Sequence, residues 1–258
     1  MALGLVDAGY RVLIIDQDPR LLVDALALAR EKGAGERVFG VCVDLLSKDA
    51  AATIMQHMDE CMGGIDVLIN NAGVGPGLIH EDFLRNPPSF ENLTDEMVRL
   101  FFEINAIAPF LLSTRAAKRM RAQKWGRIVN VTTSLDSMMR EGFAPYGGTK
   151  ASLEFHTATM ARDLEETGVT ANVLVPGGPA DTNMIPKEAG FDRSQLINPD
   201  AMVPPLLWLV SDGEHPPNGK RVIASTWRPG PHEADDDAVS GIGWPPGSSK
   251  AIFPDVQR

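Results

Sequence analysis

The sequence predicts one α/β domain of three layers, with helices on both faces of a doubly wound parallel sheet. Short apolar runs rich in Val, Ile and Leu recur at 11–16, 37–43, 65–69, 127–132 and 169–175. That is the pattern of strands buried on both faces. Helical patterns separate these runs, and strand–helix alternation with short connections makes the strands parallel. A chain of 258 residues, 44% hydrophobic, is enough for one full core.

Each element has a local reason. Residues 1–9 read as the tail of an amphipathic helix stopped by Gly9. Asp18 caps the next helix, with Pro19 at its first position and Gly33 beyond its end. Ser47 caps a helix to about Met62. The strand at 65–69 runs into Asn70-Asn-Ala-Gly73, and the Gly- and Pro-rich stretch 74–92 reads as an irregular loop on the sheet rim. Thr94 opens a long helix with Asp95 and Glu96 in its first turn, continuing through Asn105 to about Gln123 with a kink at Pro109. After the strand at 127–132 comes a loop, then a helix from Tyr146 to near Gly168. Pro176-Gly-Gly-Pro179 stops the strand at 169–175. Residues 180–196 read as irregular, 200–211 as a short helix interrupted by Pro204 and Pro205, and 220–224 as a last strand. The domain is expected to span 1–226. The remainder, 227–258, with Trp227, Trp244, the acids at 235–237 and Pro245-Pro246-Gly247, reads as an irregular tail.

The net charge of −10 argues against a nucleic-acid surface and for a soluble cytoplasmic protein. Cys42 and Cys61 have no partner at metal-ligand spacing and are expected as reduced thiols. The histidines at 57, 80, 156, 215 and 232 show no ligand spacing, so no metal site is expected. No apolar run approaches 18 residues, so no membrane span is expected, and an acid as early as Asp7 does not fit a signal peptide.

The chemistry concentrates at 132–150. A strand ends in three hydroxyls, Thr132, Thr133 and Ser134, and a helix then opens at Tyr146 with Lys150 four residues on. On a helix the two share a face. An ammonium beside a phenol favours the phenolate, so the tyrosine can exchange a proton near neutral pH. The strand-end hydroxyls can hold a carbonyl or alcohol oxygen against it. Asp16 also ends a strand, where a carboxylate can take both hydroxyls of an adenine ribose.

This pattern resembles the single-domain short-chain dehydrogenase/reductase family, from residue 1 to about 226. The resemblance implies a Rossmann-type fold and an NAD(P)-dependent oxidoreductase interconverting a secondary alcohol and a ketone. It implies Tyr146 as general acid/base, Lys150 as its modulator and ligand of the nicotinamide ribose, and Asn105 as holder of a relay water. The family's active serine lies thirteen residues before the tyrosine, which lands here on Thr133 with Ser134 one further; Ser134 is weighted slightly. Asp44 and Leu45 resemble the adenine-contacting pair. Asn71, Ala72 and Gly73 are implied in cofactor contact and sheet stabilisation, Pro176 and Gly177 in the turn beside the nicotinamide, and Thr182 in the carboxamide contact. Asp16, followed by no base, favours NAD over NADP. Met138, Met139, Phe143, Met184, Ile185 and Phe191 suggest an apolar substrate pocket, with 180–196 as its lid. A homodimer or homotetramer through the helices at 94–123 and 146–167 is also implied.

The family opens with a strand and a glycine-rich turn that holds the pyrophosphate. Neither is present here, and that strand would lie between those at 11–16 and 65–69. Either the stated start lies downstream of the true one, which is favoured, or the cofactor site is weak and the protein is a non-catalytic scaffold.

Overall fold

The computed structural model describes residues 1–230, 232 and 237–242. Helix α1 (Ala2–Asp7) precedes strand β1 (Val12–Asp16), and α2 (Pro19–Glu31) leads to β2 (Val38–Cys42). Helix α3 (Ala50–Met62) leads to β3 (Val67–Asn70). Helices α4 (Asp95–Phe102) and α5 (Ala108–Gln123) are joined by a π-helical turn (Glu103–Ile107) into one long rod. Strand β4 (Gly126–Val131), a short α6 (Leu135–Met139), α7 (Tyr146–Asp163) and β5 (Val169–Val175) form the centre. Helix α8 (Val203–Leu209), β6 (Lys220–Ile223) and β7 (Val239–Gly241) complete the described chain. Strands β3 to β6 are parallel neighbours in the order β3-β4-β5-β6, as the alternation required.

The sheet is divided. Strands β1 and β2 form a separate parallel pair, and neither of the facing edges of β1 and β3 has a strand partner among the described residues. The division falls where the resemblance placed a further strand. Apolar side chains still meet across it. Val12 joins Val67 and Ile69 in one cluster, Leu13 joins Leu68 in a second, and Ile15 joins Leu68 in a third. Every residue of β1 is only half-buried, whereas β4 and β5 are buried throughout. The two halves are thus held by side-chain burial without backbone pairing, and the edge amides have a path to water.

Polar residues brace the centre from within. Asn70 donates to Asn130 Oδ1 (2.7 Å) and to Ser113 Oγ (3.0 Å), and Asn130 donates to Thr157 Oγ1 (2.8 Å). These links tie β3, β4, α5 and α7 together. Asn172 does the same at the far end, donating to the Pro217 carbonyl and accepting from the Lys220 amide.

Several local expectations are corrected. Ser47 does not cap α3. The helix starts at Ala50 after Asp49, and Ser47 instead closes a turn on the Asp44 carbonyl. The loop after β4 contains α6, capped by Ser134. Part of the expected irregular tail joins the sheet: β7 pairs antiparallel with β6, burying Ala238 and Val239 and covering an edge β6 would otherwise expose. Trp244, Asp235, Asp236 and Pro245-Pro246-Gly247 lie outside the described residues. The rod Asp95–Gln123 is long and apolar enough to cross a membrane by length and composition, which its scattered charges hid from a search for unbroken runs. In the fold it buries Phe101, Asn105, Leu112, Ala116 and Met120 within the domain.

The divided sheet makes a measurable prediction. In native-state hydrogen exchange, gap-facing amides of β1 and β3 should exchange at least about tenfold faster than those of β4 and β5. Equal protection across all four strands would mean that the gap is closed in solution.

Candidate active site

Helix α7 begins at Tyr146 because Pro145 precedes it, and it sits tightly against α6. A Cβ at Gly147 would overlap the Met138 carbonyl, so this position needs glycine. Tyr146, Lys150 and Glu154 recur at intervals of four and share one stripe of α7. All three are buried. The stripe lies along the end of β4. Lys150 donates to the Val131 carbonyl (3.1 Å), Glu154 accepts from the Thr132 hydroxyl (2.9 Å), and the Thr133 side chain lies near enough to the Tyr146 phenol to ease its ionisation.

The two hydroxyls are therefore separated, and the slight weight given to Ser134 is corrected. Thr133 lies against the Tyr146 phenol. Ser134 turns away to cap α6, accepting from the Ser137 amide (3.2 Å) and pairing with the Ser137 hydroxyl (2.8 Å). Successive residues at a strand end point to opposite sides, and the cap fixes which is which.

Burial governs the electrostatics, against the sequence-based expectation. The Tyr146 phenol is pushed above its usual value by desolvation, with the Thr133 hydrogen bond pulling it partly back. Lys150 does not act as its depressant here, because its ammonium is directed at the Val131 carbonyl. That ammonium, itself fully buried, is lowered from 10.5 to about 8 by desolvation. The phenol is thus a neutral acid beside a lysine that titrates close to physiological pH.

Asn105 occupies the π-helical turn and is fully buried. Its amide grips the loop after β3 at both backbone atoms of Val74, accepting from the amide (2.8 Å) and donating to the carbonyl (2.9 Å). It also donates to Thr149 Oγ1, which in turn donates to the Tyr146 carbonyl. A Cβ at Gly73 would stand 2.9 Å from Asn105 Oδ1 and 3.2 Å from Lys150 Nζ, so the loop approaches both only as glycine.

The other candidate residues follow the C-terminal ends of strands. Asp16 ends β1, and one of its oxygens accepts the Asp18 amide (2.9 Å). Asp44 lies just past β2 and accepts the Leu46 amide (2.9 Å), with Leu45 half-buried beside it. Asn71 and Ala72 are exposed past β3. Sheet bracing belongs to Asn70, a residue that the tetrapeptide contained but the resemblance did not single out. The Pro176 carbonyl accepts the Ser225 amide (3.1 Å). Gly177 has φ +95, and a Cβ there would overlap Ser225 Oγ. Thr182 is exposed on the 180–196 segment.

That segment folds over the site. Its Ala180 bridges to Ile197, Arg193 pairs with Asp181, and Arg85 donates to the Glu188 carbonyl (2.8 Å). Met184 and Pro186 pack on Gly75 and Gly77. Beneath it Phe143 meets Tyr146 edge-on (6.2 Å between ring centres), and Phe83, Phe101, Ile185 and Phe191 join the same apolar cluster. Met139 is instead exposed.

For a dinucleotide, the groups that could meet the nicotinamide ribose are the buried Tyr146 and Lys150, with Gly73 leaving the backbone close to Lys150 Nζ. At the pyrophosphate end no glycine-rich turn follows a strand between β1 and β3 among the described residues, and the β1–α2 connection is acidic.

The buried lysine makes a prediction about stability. The unfolded lysine holds its proton to about 10.5 while the folded one releases it near 8. Between those values the unfolded state binds more protons, so folding stability rises with pH. Relative to Lys150→Met, the native protein should gain up to about 1.4 kcal/mol per pH unit in that window by denaturant titration. Below it the penalty is fully present and the difference is flat. A flat difference throughout would mean that the ammonium is solvated.

The comparisons with known proteins agree with the geometry. The family model for short chain dehydrogenases matches residues 1–190. A short-chain type dehydrogenase/reductase of Picea abies is 26% identical over 82% of this chain and 80% of its own length. The 3-oxoacyl-[acyl-carrier-protein] reductase MabA of Mycobacterium avium is 31% identical over 67% of this chain and 65% of its own. A metagenomic short-chain oxidoreductase solved with NADP superposes with a TM-score of 0.70 over 86% of this chain and 88% of its own. At 22% identity it speaks for the fold alone. With the family model covering most of the chain and the hydroxyl–tyrosine–lysine stripe in place, the protein belongs to the short-chain dehydrogenase family.

Proposed function

We propose that this chain is an NAD(P)-dependent oxidoreductase, NAD favoured, that interconverts a secondary alcohol and a ketone of apolar character. One observation carries the reading: a buried phenol, Tyr146, lies on one stripe with Lys150 and against the Thr133 hydroxyl. The bound dinucleotide would supply or accept the hydride. The chain's own groups handle the oxygen and its proton. Thr133 Oγ1 hydrogen-bonds the substrate oxygen and orients it toward the phenol. In reduction, Tyr146 Oη gives its proton to that oxygen; in oxidation it takes it back. Lys150, buried one turn along the same stripe, would hold the nicotinamide ribose. Asn105 fixes the 73–74 loop beside them, in keeping with a relay role. Phe143, Ile185 and Phe191 exclude water and favour an apolar substrate.

Asp16 would hold the adenine ribose and Asp44 with Leu45 the adenine. Asn71, Ala72, Gly73, Pro176, Gly177 and Thr182 would line the path to the nicotinamide. The carboxylates of Asp16 and Asp18 disfavour a 2′-phosphate, which supports NAD, although the metagenomic relative was solved with NADP. The reductase and dehydrogenase names of the relatives support the reaction class. Exposed apolar side chains on the outer faces of the long rod and α7, among them Phe102, Ile107, Phe110 and Phe155, support a homodimer or homotetramer.

A second reading has its own observation. Among the described residues the facing edges of β1 and β3 lack a strand partner, and with the acidic β1–α2 turn this favours a scaffold protein that binds dinucleotide weakly or not at all.

Thermal unfolding with added cofactor separates the two. NAD at about 100 times its dissociation constant should stabilise the fold by about 2.7 kcal/mol, with NADP giving less and Asp16→Ala narrowing the gap. No shift with either nucleotide would leave the scaffold reading. With turnover established on an apolar alcohol, Tyr146→Phe should lower kcat roughly 10²–10⁴-fold; retention of full turnover would refute the role given to the phenol. Sedimentation should find an oligomer that Phe110→Glu with Phe155→Glu dissociates, and a monomeric parent would contradict the assembly.

A further inference from the structure

One polar chain behind the site takes no part in the proton transfer described above. Glu154 and Arg221 are each at least nine-tenths buried and form an ion pair, Arg221 Nε donating to Glu154 Oε1 (2.8 Å). The other carboxylate oxygen accepts from the Thr132 hydroxyl (2.9 Å). Arg221 Nη2 reaches past the carboxylate and donates to the Thr133 carbonyl (2.8 Å). Burial pushes the Glu154 carboxyl up, and Arg221 and Thr132 pull it back.

Bulk stability does not account for this arrangement. A buried ion pair repays its desolvation only in part, and apolar side chains of like volume do as well or better. What apolar side chains cannot supply is direction. Three consecutive positions at the end of β4 are each gripped by a polar atom: Val131 by Lys150, Thr132 by Glu154, and Thr133 by Arg221. The hydrogen bond to its carbonyl restricts the Thr133 backbone, and the Thr133 side chain lies beside the phenol. The planar guanidinium serves both the carboxylate and the carbonyl, which a lysine could not.

We propose that Glu154 and Arg221 are positioning residues: together they hold the Thr132 side chain and the Thr133 carbonyl so that the Thr133 hydroxyl is presented to Tyr146. This rests on the reading of Tyr146 as the acid–base group. The clamp acts through Thr133 and touches no substrate.

The test uses the double variant Glu154→Met with Arg221→Met, which replaces the pair by apolar volume, and Arg221→Lys, which keeps a charge for Glu154 but loses the fork. Melting temperature, kcat, KM and the tyrosinate absorbance titration are measured for each. The chain has two tyrosines, so in a Tyr10→Phe background the titration reports Tyr146 alone. Burial and the Thr133 hydrogen bond set that titration, and Lys150 is the charged group one turn along the same helix.

The expected result is a folded protein whose kcat falls about tenfold while KM changes less than about threefold. Tyr146 should titrate at higher pH, having lost the Thr133 hydroxyl. Thr133→Ala should lower kcat in the parent but add little in the double variant, because the hydroxyl it removes is already displaced. Unchanged kcat and unchanged titration in both variants would overturn the clamp. If the double variant does not fold, Arg221→Lys decides by the same readouts. If the parent shows no turnover, the oxidoreductase reading fails, and the tyrosine titration still decides whether the clamp exists.

Discussion

A charged side chain in a dry interior is the constraint on which the rest of this structure turns. Lys150 is buried in α7, and its ammonium finds the Val131 carbonyl at the end of β4. Removing an ammonium from water is expensive, and a group so placed either finds a partner or gives up its proton. Here both tendencies are visible, in the carbonyl contact and in a proton held only to about pH 8. The contact also sets the register of α7 against β4, and with it the placing of Tyr146 and Glu154 one turn to either side. Gly147, pressed on the Met138 carbonyl, and Gly73, pressed toward Asn105 and Lys150, are the small residues that make such close packing feasible.

The two halves of the sheet are held differently. From β3 to β6 the strands share backbone ladders and buried asparagines, and this half carries the tyrosine, the lysine and the hydroxyls. Strands β1 and β2, with Asp16 and Asp44, meet it through apolar contact, with Tyr10 and Arg11 before β1 adding hydrogen bonds to the Val210 and Cys61 carbonyls. Apolar contact is strong but non-directional, so it fixes proximity better than register. The half with Tyr146 and Lys150 can therefore keep its geometry while the half with Asp16 and Asp44 adjusts.

Much of this was legible in the sequence, for physical reasons. Strands buried on both faces announce themselves as apolar runs, and the run at 169–175 was placed to the residue. Asp18 read as a cap because its side chain has one nearby task, and it accepts the Arg20 amide; Thr94, read as the start of its helix, accepts the Met97 amide. Ser47 misled because Asp49, two residues on, begins the helix without a side-chain cap. The polarity of the Tyr146 environment was misjudged, because proximity of a cation is visible in spacing whereas desolvation is set by distant segments, 83–84 and 185–191 among them. Glu154 and Arg221 went unnoticed because 67 positions separate them. The signal was there in part: an acid four residues past Lys150, on the face that Tyr146 and Lys150 share. Thr133 and Ser134 could not be separated by counting, since the choice rests on α6, whose short span gives no clear period.

The π-helical turn at Glu103–Ile107 carries a consequence for how this chain tolerates change. Such a turn accommodates one residue more than an α-helix of the same rise. The helix on either side is regular, so a single deletion here would restore an unbroken α-helix and would be kind to local hydrogen bonding. Because the widened turn absorbs that residue within one turn, the helices on either side would keep their phase, and Phe101 would stay buried. What the deletion would remove is the displaced backbone that carries Asn105 to both backbone atoms of Val74. The segment is thus one where an edit that is kind to the secondary structure falls on the site alone.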